Sequence, residues 1–390
     1  DAWFEAPAAV SKAAGAQLLA VINASPFHVG KGDEREQAMR ARVQQTGLPL
    51  VYAHLVGGQD EVVFEGRSFA LAADGAVVGR AQSFEVQDFT VDMQTSSAGL
   101  VLSADIAEEG SLEGDLWHAL VLGVRDYIGK NGFPGALLGL SGGIDSALVL
   151  AIAVDALGAD KVRAVMMPSR YTADISWIDA REMAQNLGVQ YDEIPISGPV
   201  DALETSLAEQ FKGMAVDATE ENIQARVRGT LLMALSNKTG RLVLTTGNKS
   251  EMAVGYCTLY GDMAGGYAVI KDIAKTLVYR LCAYRNSIAP IIPERILTRA
   301  PSAELRPDQK DQDSLPSYEV LDGIVERYME QNQSIAQIIA AGFDAESVEK
   351  VTRLIKLNEY KRRQAPPGVR VTTRAFGRDW RYPITSQFRA

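Results

Sequence analysis

The segment 135–158, GALLGLSGGIDSALVLAIAVDALG, constrains the fold of this sequence more than any other. A short apolar run, Leu137–Leu140, is predicted to be a buried strand. It is followed by a glycine-rich turn at Ser141–Ser146 and a helical run from Ala147 onward. A strand that enters a helix through a tight turn is the repeating unit of parallel α/β sheets, in which ligands collect beyond the carboxyl ends of the strands. The turn is therefore a candidate binding site.

The same alternation continues through the second half of the sequence. The predicted strands are VRAVMMPSR, YDEIPI and RLVLTTG, and a helical pattern, SWIDAREMAQNLG, lies between the first two. Because crossover connections between parallel strands are short and right-handed, this order leads to a doubly wound sheet. The predicted fold class of the second half is α/β with a doubly wound parallel sheet.

The first hundred residues have a different pattern of short apolar runs separated by turns. The Asp-Gly pair at 74–75 predicts a hairpin, and the helical stretch DEREQAMRARVQQTG ends at Gly47, a typical helix C-terminus. Apolar residues then become sparse, as in a linker. We predict a first domain over 1–95, a linker over 96–112 and a second domain over 113–390.

Composition excludes several classes of protein. A chain of 390 residues is too long for a single core, and its formal net charge of −10 argues against broad binding to nucleic acid or to a membrane surface. No apolar run approaches the roughly 18 residues that cross a bilayer. The two cysteines, Cys257 and Cys282, indicate neither a disulfide framework nor a zinc site. We expect a protein of the reducing cytoplasm.

The glycine-rich turn has the chemistry of a phosphate site with one exception. The amides of Gly142 and Gly143 can approach a phosphate closely, the helix N-terminus favours negative charge, and Ser141 and Ser146 supply hydroxyl donors. Asp145 opposes this, because a carboxylate about 4 Å from a phosphate charge costs about 4 kcal/mol, whereas a helix terminus returns at most about 2 kcal/mol. A cation is therefore expected between them, and Mg²⁺ is the natural candidate. The simpler alternative is that Asp145 only favours the helix that follows it.

The motif SGGIDS, between a buried strand and a helix, resembles the signature loop of the ATP pyrophosphatase family, and the GxxxxGK[ST] motif of Walker-type loops is absent. The resemblance implies an adenine nucleotide alpha hydrolase-like fold and an enzyme that splits ATP between the α and β phosphates while adenylating an acceptor. The ATP-binding residues that it implies are Gly139, Leu140, Ser141, Gly142, Gly143, Ile144, Asp145 and Ser146. Several enzymes share this loop, so the loop alone does not identify the acceptor.

Three further stretches closely resemble the NAD synthetase family: TEENIQARVRG at 219–229, TTGNKSEMAVGYCTLYGDMAGGYAVIKD at 245–272 and LNEYKRRQAPPG at 357–368. The resemblance implies that Thr246 contacts ATP and that Glu251 is the second carboxylate for Mg²⁺ beside Asp145. The contacts that it implies for deamido-NAD are Asn222, Glu251, Lys361, Asp262, Lys271 and Arg226. Arg226 and its neighbour Arg228 could equally form surface ion pairs on a helix.

The first domain resembles the latter part of a nitrilase-type glutaminase, an α/β/β/α sandwich. The resemblance is carried by DAWF at 1–4, NASPFHVGK at 23–31 and ARVQQTGLPLVYAHLVGGQDEVVFEGRSF at 41–69. It implies that Ser25 and Lys31 contact glutamine, which would supply ammonia. In that family a Cys-Glu-Asp triplet precedes the tryptophan, so the nucleophilic cysteine is expected two positions before Asp1, and no glutaminase nucleophile is predicted within this chain.

Together these resemblances imply a two-domain, glutamine-dependent amidating enzyme of the NAD synthetase family. The carboxylate of deamido-NAD would attack the α phosphate of ATP, and ammonia would then displace AMP from the acyl adenylate. The family usually forms homo-oligomers. Two alternatives remain: an adenylating amidotransferase with another acceptor, such as a purine nucleotide, and a non-catalytic ATP-binding module. A paired set of metal ligands, Asp145 and Glu251, disfavours the second alternative, because a nucleotide sensor does not need them.

Overall fold

The computed structural model describes residues 2–97, 99–302, 304–306 and 315–386. By the clustering of its contacts the chain divides into two compact units, one up to Gly123 and one from Val124. Within the described residues, no helix combines the length and apolar character that a bilayer span requires.

The first unit is built on a four-stranded sheet of order β1-β2-β5-β6, with helices α1 and α2, two small hairpins and the first part of the helix that begins at Leu112. Its elements in chain order are α1 (Glu5–Ala13), β1 (Leu19–Asn23), α2 (Lys31–Thr46), β2 (Leu50–His54), β3 (Val56–Gln59), β4 (Val62–Glu65), β5 (Phe69–Leu71), β6 (Val77–Arg80), β7 (Asp92–Ser96) and β8 (Gly99–Ser103). Strands β1 and β2 are parallel, and β5 and β6 form the predicted hairpin. Helix α2 ends at Gly47 with φ +68°, the left-handed conformation predicted for this glycine.

The core of this unit lies where α2 packs on the sheet. Met39 and Val43 of the helix are fully buried against Leu50, Tyr52 and Phe69 of the strands. Burial of this set explains the apolar spacing in the sequence.

Part of the predicted linker, 96–112, forms a β-strand. Strand β8 lies within this range and pairs with β7 in an antiparallel ladder from Asp92↔Ser103 to Ser96↔Gly99. Every residue of β7 is exposed, so the low apolar density of this stretch reflects a solvated hairpin. The domain boundaries stay a prediction.

The second unit contains a five-stranded sheet of order β11-β10-β9-β12-β13, in which every pair of neighbours is parallel. The remaining α-helices and strands of the described residues are α3 (Leu112–Lys130), β9 (Ala136–Gly139), α4 (Ile144–Leu157), β10 (Val162–Met166), α5 (Asp174–Leu187), β11 (Gln190–Glu193), α6 (Ser197–Leu207), α7 (Ala218–Thr239), β12 (Leu242–Thr245), α8 (Lys249–Val254), β13 (Tyr267–Ala268), α9 (Lys275–Ile288), α10 (Glu294–Thr298), α11 (Tyr318–Val325), α12 (Ile335–Ala340), α13 (Ala345–Leu357) and α14 (Glu359–Arg362). The doubly wound parallel sheet predicted from the sequence is confirmed.

Strand β9 is the switch point of this sheet. The chain leaves β9 to build β10 and β11 on one side and later returns to build β12 and β13 on the other. A crevice opens at the carboxyl end of such a strand, because the connections to its two neighbours run in opposite directions. The glycine-rich turn lies in this crevice.

Two predicted boundaries at the turn are wrong by a few residues. The strand covers Ala136–Gly139, and helix α4 begins at Ile144 instead of Ala147, because Gly143 is extended and already acts as the N-cap (φ −92°, ψ 162°). Asp145 is therefore a residue of the first helical turn. Nine of the 14 residues of α4 are buried, all within 144–153, and this part of the helix accordingly has apolar residues on every side of its axis.

The last helices pack against α8. Met252 and Val254 of α8 share one buried cluster with Leu321 and Ile324 of α11 and with Val351 of α13. This cluster ties the helical C-terminal region to the part of the chain that follows β12.

Candidate active site

A cavity of about 330 Å³ opens at the carboxyl ends of β9, β10 and β12. Its floor is the glycine-rich turn, and its walls come from α7, from the segment after β12, from the start of α9 and from the segment after α10. The charged and hydroxyl-bearing residues that line it are Ser141, Asp145, Ser146, Thr172, Arg228, Thr245, Thr246, Glu251, Tyr256, Asp262, Lys275, Tyr279, Arg299, Ser302 and Glu304. The ATP-binding residues predicted from the sequence, apart from Gly142, line this cavity.

The turn itself is held in shape by its own hydroxyl groups. Ser146 Oγ donates to the carbonyl of Gly143 at 3.0 Å and accepts from the amide of Ser141 at 3.2 Å. Gly142 has φ +78°, and a Cβ atom there would lie 2.2 Å from the carbonyl oxygen of Ser176. Only glycine fits this position, because both the backbone conformation and the space exclude a side chain.

The two predicted metal ligands are linked through one buried amide. Asn248, the N-cap of α8, donates from Nδ2 to Asp145 Oδ1 at 2.8 Å. Its Oδ1 accepts from the amide of Glu251 at 3.0 Å, and Glu251 Oε2 accepts from the amide of Asn248 at 3.3 Å. This capping box fixes Glu251 in the first turn of α8 and places it beside Asp145.

A buried lysine lies between the two acids. The ammonium of Lys275, which is 2% exposed, donates to Asp145 Oδ2 and is 3.8 Å from Glu251 Oε1. Sequence reasoning missed this residue, because a lysine at the start of a helix is ordinary in a sequence. What marks Lys275 as functional is its burial, because a buried ammonium group needs carboxylate partners.

The residues predicted to bind deamido-NAD fall into two groups. Asn222 and Asp262 lie close together, because Thr258 donates from Oγ1 to Asn222 Oδ1 and from its amide to Asp262 Oδ1, both at 2.7 Å. Burial raises the pKa of Asp262 to about 6. Lys361 Nζ donates to the carbonyls of Gly255 and Cys257 at 2.8 Å and thereby fixes the segment that follows α8.

Of the six residues predicted to contact deamido-NAD, Glu251 and Asp262 line the cavity. The other four are not among the described residues that line it: Asn222, Arg226, Lys271 and Lys361. Lys271 Nζ donates to the carbonyl of Pro366, and Arg226 is exposed and donates to the carbonyl of Leu259. Arg228, two positions along α7, does line it, and its Nε donates to the carbonyl of Met167 at 3.0 Å. Burial lowers the pKa of Arg228 to about 10.

A segment after α10 borders the turn, although sequence reasoning assigned it no role. Arg299 donates from Nη2 to the carbonyl of Gly142 at 3.0 Å and from Nη1 to Ser176 Oγ at 2.9 Å. Ser176 Oγ in turn donates to Glu304 Oε1 at 2.6 Å. A second basic side chain therefore joins the phosphate turn.

The first unit contains a separate polar group around Ser25. The amide of Ser25 donates to His54 Nε2 at 3.1 Å, and Arg35 Nη1 lies 2.7 Å from the same nitrogen. His54 Nε2 also lies 3.1 Å from the carbonyl oxygen of Ser25. Burial and the charge of Arg35 lower the pKa of His54 to about 4, so the imidazole is neutral near pH 7. Arg35 also forms a buried ion pair with Glu65. Lys31, the other predicted glutamine contact, pairs with the exposed Glu34 at 2.8 Å and lies over the ring of Trp3.

A phosphate turn at the switch point of a parallel sheet, with two acids beside it, defines a nucleotide-binding α/β enzyme. The sequence model of NAD synthase matches residues 116–365, and that of carbon-nitrogen hydrolase matches residues 1–101. The chain belongs to the NAD synthase family. The resemblance stated from the sequence is confirmed, and so is the nitrilase-like class of the first domain.

Named relatives match this chain over all or nearly all of its length. A glutamine-dependent NAD(+) synthetase of Rhodobacter capsulatus is 52% identical over 400 residues, covering 100% of this chain and 72% of the relative. A solved structure of a glutamine-dependent NAD+ synthetase from Acinetobacter baumannii, in complex with ADP, is 47% identical with a TM-score of 0.71 and covers 96% of this chain and 69% of the other. A glutamine-dependent NAD(+) synthetase from Cytophaga hutchinsonii has a TM-score of 0.80 at 23% identity, with 96% and 70% covered, and supports the fold.

Proposed function

We propose that this protein amidates deamido-NAD to NAD in an ATP-dependent reaction that releases AMP and pyrophosphate, with glutamine as the source of ammonia. The observation that carries the proposal is the meeting of Asp145, Glu251 and Lys275 beside the phosphate turn. Relatives named glutamine-dependent NAD(+) synthetase, one of them 52% identical over the full chain, support the same activity.

The cavity suits the triphosphate of ATP. The amides of the turn and the N-terminus of α4 attract phosphate oxygens, and Arg228, Lys275 and Arg299 are the cationic side chains among the described lining residues. Four carboxylates lie there too: Asp145, Glu251, Asp262 and Glu304. The acids among the described lining residues therefore outnumber the bases by one, and ATP adds further negative charge. Binding of ATP in this cavity requires a further cation.

Mg²⁺ fits this requirement. Its usual protein ligands are one or two carboxylates, completed by phosphate oxygens and water. Asp145 and Glu251 would hold it, since both carboxylates are partly exposed to the cavity, with relative accessibilities of 19% and 18%. A bound ion would supply positive charge that stabilises the pyrophosphate leaving group.

The reaction consists of two displacements. A carboxylate oxygen of the acceptor forms a bond to the α phosphorus while the bond to the β-phosphate oxygen breaks and pyrophosphate leaves. Ammonia then forms a bond to the acyl carbon, the bond to AMP breaks, and nitrogen loses a proton to solvent. Lys275, Arg228 and the amides of the turn stabilise the charge that develops on phosphate oxygens, so catalysis is mainly positioning and electrostatics.

The acceptor site is proposed next to Asp262, which lines the cavity and is linked to Asn222 through Thr258. The two hydrogen bonds that Thr258 donates hold Asp262 and Asn222 together. Lys361 donates to the carbonyls of Gly255 and Cys257 and so fixes the segment that precedes Thr258. Arg226 and Lys271 stay predictions as acceptor contacts.

The first unit is proposed to serve the release of ammonia from glutamine. Ser25 and Lys31 are the proposed glutamine contacts, and His54 holds the backbone of Ser25. The match to carbon-nitrogen hydrolases over residues 1–101 supports this assignment. The glutaminase nucleophile stays a prediction for a position upstream of Asp1, and assembly into homo-oligomers stays a prediction too.

The decisive experiment is a product analysis with separate acceptors. The protein is incubated with ATP, Mg²⁺ and ammonium chloride, and with deamido-NAD, nicotinate mononucleotide or xanthosine monophosphate. We expect AMP, pyrophosphate and NAD in equal amounts with deamido-NAD alone. Formation of ADP would overturn the α-phosphate mechanism, and amidation of the purine nucleotide would identify another amidotransferase. Absence of pyrophosphate exchange into ATP with every acceptor would indicate a non-catalytic module.

A further inference from the structure

We propose that Tyr318 and Asp322, on one face of α11, position Lys275 and thereby the acid pair Asp145 and Glu251. This inference rests on the proposed function. Neither side chain is among the described residues that line the cavity, so both act through Lys275.

Helix α9 begins at Lys275 without a cap of its own. Its N-cap residue is Ala274, which has no side-chain acceptor for the first amides of the helix. Asp322 supplies that acceptor from another helix, because its Oδ2 accepts from the amide of Thr276 at 2.9 Å. A carboxylate at this place also complements the helix dipole.

Ser250 completes the same connection. Its Oγ accepts from the amide of Lys275 at 2.8 Å and donates to Asp322 Oδ1. Ser250 precedes Glu251 on α8, so this one hydroxyl joins the start of α9, the acid-bearing helix and α11. Burial raises the pKa of Asp322, and these hydrogen bonds favour its charged form.

Tyr318 approaches the other end of the same lysine. It lies four residues before Asp322, so the two side chains share one face of α11. Its ring centroid is 5.3 Å from Lys275 Nζ, within the range of a cation–π contact. Helix α11 therefore contacts the Lys275 ammonium directly through Tyr318, and it reaches the Lys275 backbone amide through Ser250, which donates to Asp322.

This double contact decides where the ammonium lies. A lysine side chain is long and flexible, and the Lys275 ammonium has to reach Asp145 while staying 3.8 Å from Glu251. Displacement of a catalytic group by about 1 Å can cost about 10²-fold in rate. Helix α11 is itself anchored by Leu321 and Ile324 in the cluster that includes Met252 of α8.

The test compares Asp322→Ala, Asp322→Asn and Tyr318→Leu with the wild-type protein in the ammonia-dependent assay. We expect kcat to fall about 10- to 100-fold for Asp322→Ala and about 10-fold for Tyr318→Leu, with KM for deamido-NAD unchanged. Asp322→Asn keeps an acceptor for the amide of Thr276, so its kcat should stay within about threefold of wild type. The matched control is Asp344→Ala, which removes an ordinary N-cap from α13, where Asp344 accepts from Ser347 at 2.9 Å.

Two further measurements separate positioning from general stability. Asp344→Ala should lower Tm as Asp322→Ala does while leaving kcat unchanged. In a Lys275→Ala background, Asp322→Ala should have little further effect on kcat, because the residue through which it acts is absent. Losses that multiply in the double variant, or a normal kcat for Asp322→Ala, would overturn the proposal.

Binding of Mg²⁺-ATP, measured by calorimetry without any acceptor, keeps this test independent of the proposed function. Asp322→Ala should weaken binding about 10-fold and Asp344→Ala should not. A wild-type protein that binds Mg²⁺-ATP but forms no NAD would refute the proposed function and leave this comparison intact. Equal affinities for wild type and Asp322→Ala would refute the positioning role.

Discussion

Asn248 donates a hydrogen bond from Nδ2 to Asp145 Oδ1 at 2.8 Å, across 103 residues of sequence. Asn248 is completely buried and also caps α8, so one amide sets the position of Asp145 and, through the capping box, of Glu251. The separation of the two acids is thus controlled by a residue that carries no charge.

Replacement of this amide should therefore affect both stability and catalysis. Asn248→Ala loses the cap of α8 and removes the hydrogen bond to Asp145 Oδ1, which should cost about 1–3 kcal/mol of unfolding free energy. We expect the rate of AMP formation to fall by at least about 10-fold. Chemical denaturation and the ammonia-dependent assay check the two effects. A variant that is destabilised but fully active would show that the acids keep their places without Asn248.

Gly142 provides a test of the phosphate turn. A Cβ atom in Gly142→Ala would meet the carbonyl of Ser176 at 2.2 Å, and φ is +78°. We expect loss of more than about 1 kcal/mol of stability and at least about 10-fold weaker ATP binding. The control is Gly198→Ala in α6, where nothing lies within 4 Å of the added atom, so it should be neutral or slightly stabilising. Calorimetric titration with ATP compares the two, and equal affinities would argue against a tight turn.

Asp262 allows a distinction between binding and packing. Because burial raises its pKa from 3.8 to about 6, the folded state binds more protons than the unfolded state between these values, and stability falls as the pH rises through that window. Asp262→Asn should remove this loss and stabilise the protein at pH 7 by about 1–3 kcal/mol. If Asp262 contacts the acceptor, KM for deamido-NAD rises at least several-fold in the same variant. Unchanged KM with higher stability would assign the residue to packing.

His54 should give the opposite pH dependence in the first unit. Its pKa is lowered from 6.5 to about 4, so the unfolded state binds more protons between these values and stability is lost as the pH falls from about 6.5. The loss approaches about 3 kcal/mol near pH 4. His54→Asn should flatten this part of the profile. Denaturation of both proteins at pH 7 and pH 5 measures it, and parallel profiles would contradict a neutral buried imidazole.

Local pattern predicted much of the second unit. The alternation of strands and helices indicated the parallel sheet, and the turn at Ser141–Ser146 with its acid indicated the phosphate site, because these features depend on neighbours in the sequence. Asn248 and Lys275 were missed, since each lies more than a hundred residues from Asp145 and is brought there only by packing. The wrong helix start had a local cause, the extended backbone of Gly143.

The choice between two arginines shows the same limit. Arg226 and Arg228 are two positions apart on α7 and so lie on nearly opposite faces of the helix. The sequence could not show which face meets the cavity, because its apolar residues do not form a single stripe along α7. The structure places Arg228 at the cavity and Arg226 at the surface.

The central place of β9 has a consequence for how fast the molecule can work. This strand is paired on both sides, and residues 144–153 of the helix that follows its turn are mostly buried. The amides of the strand and of this part of the helix should therefore be among the slowest in the protein to exchange with deuterated solvent. The glycine-rich turn therefore directly follows the least mobile part of the second unit. The conformational entropy of the turn is lost once, when the chain folds, and need not be lost again in each catalytic cycle.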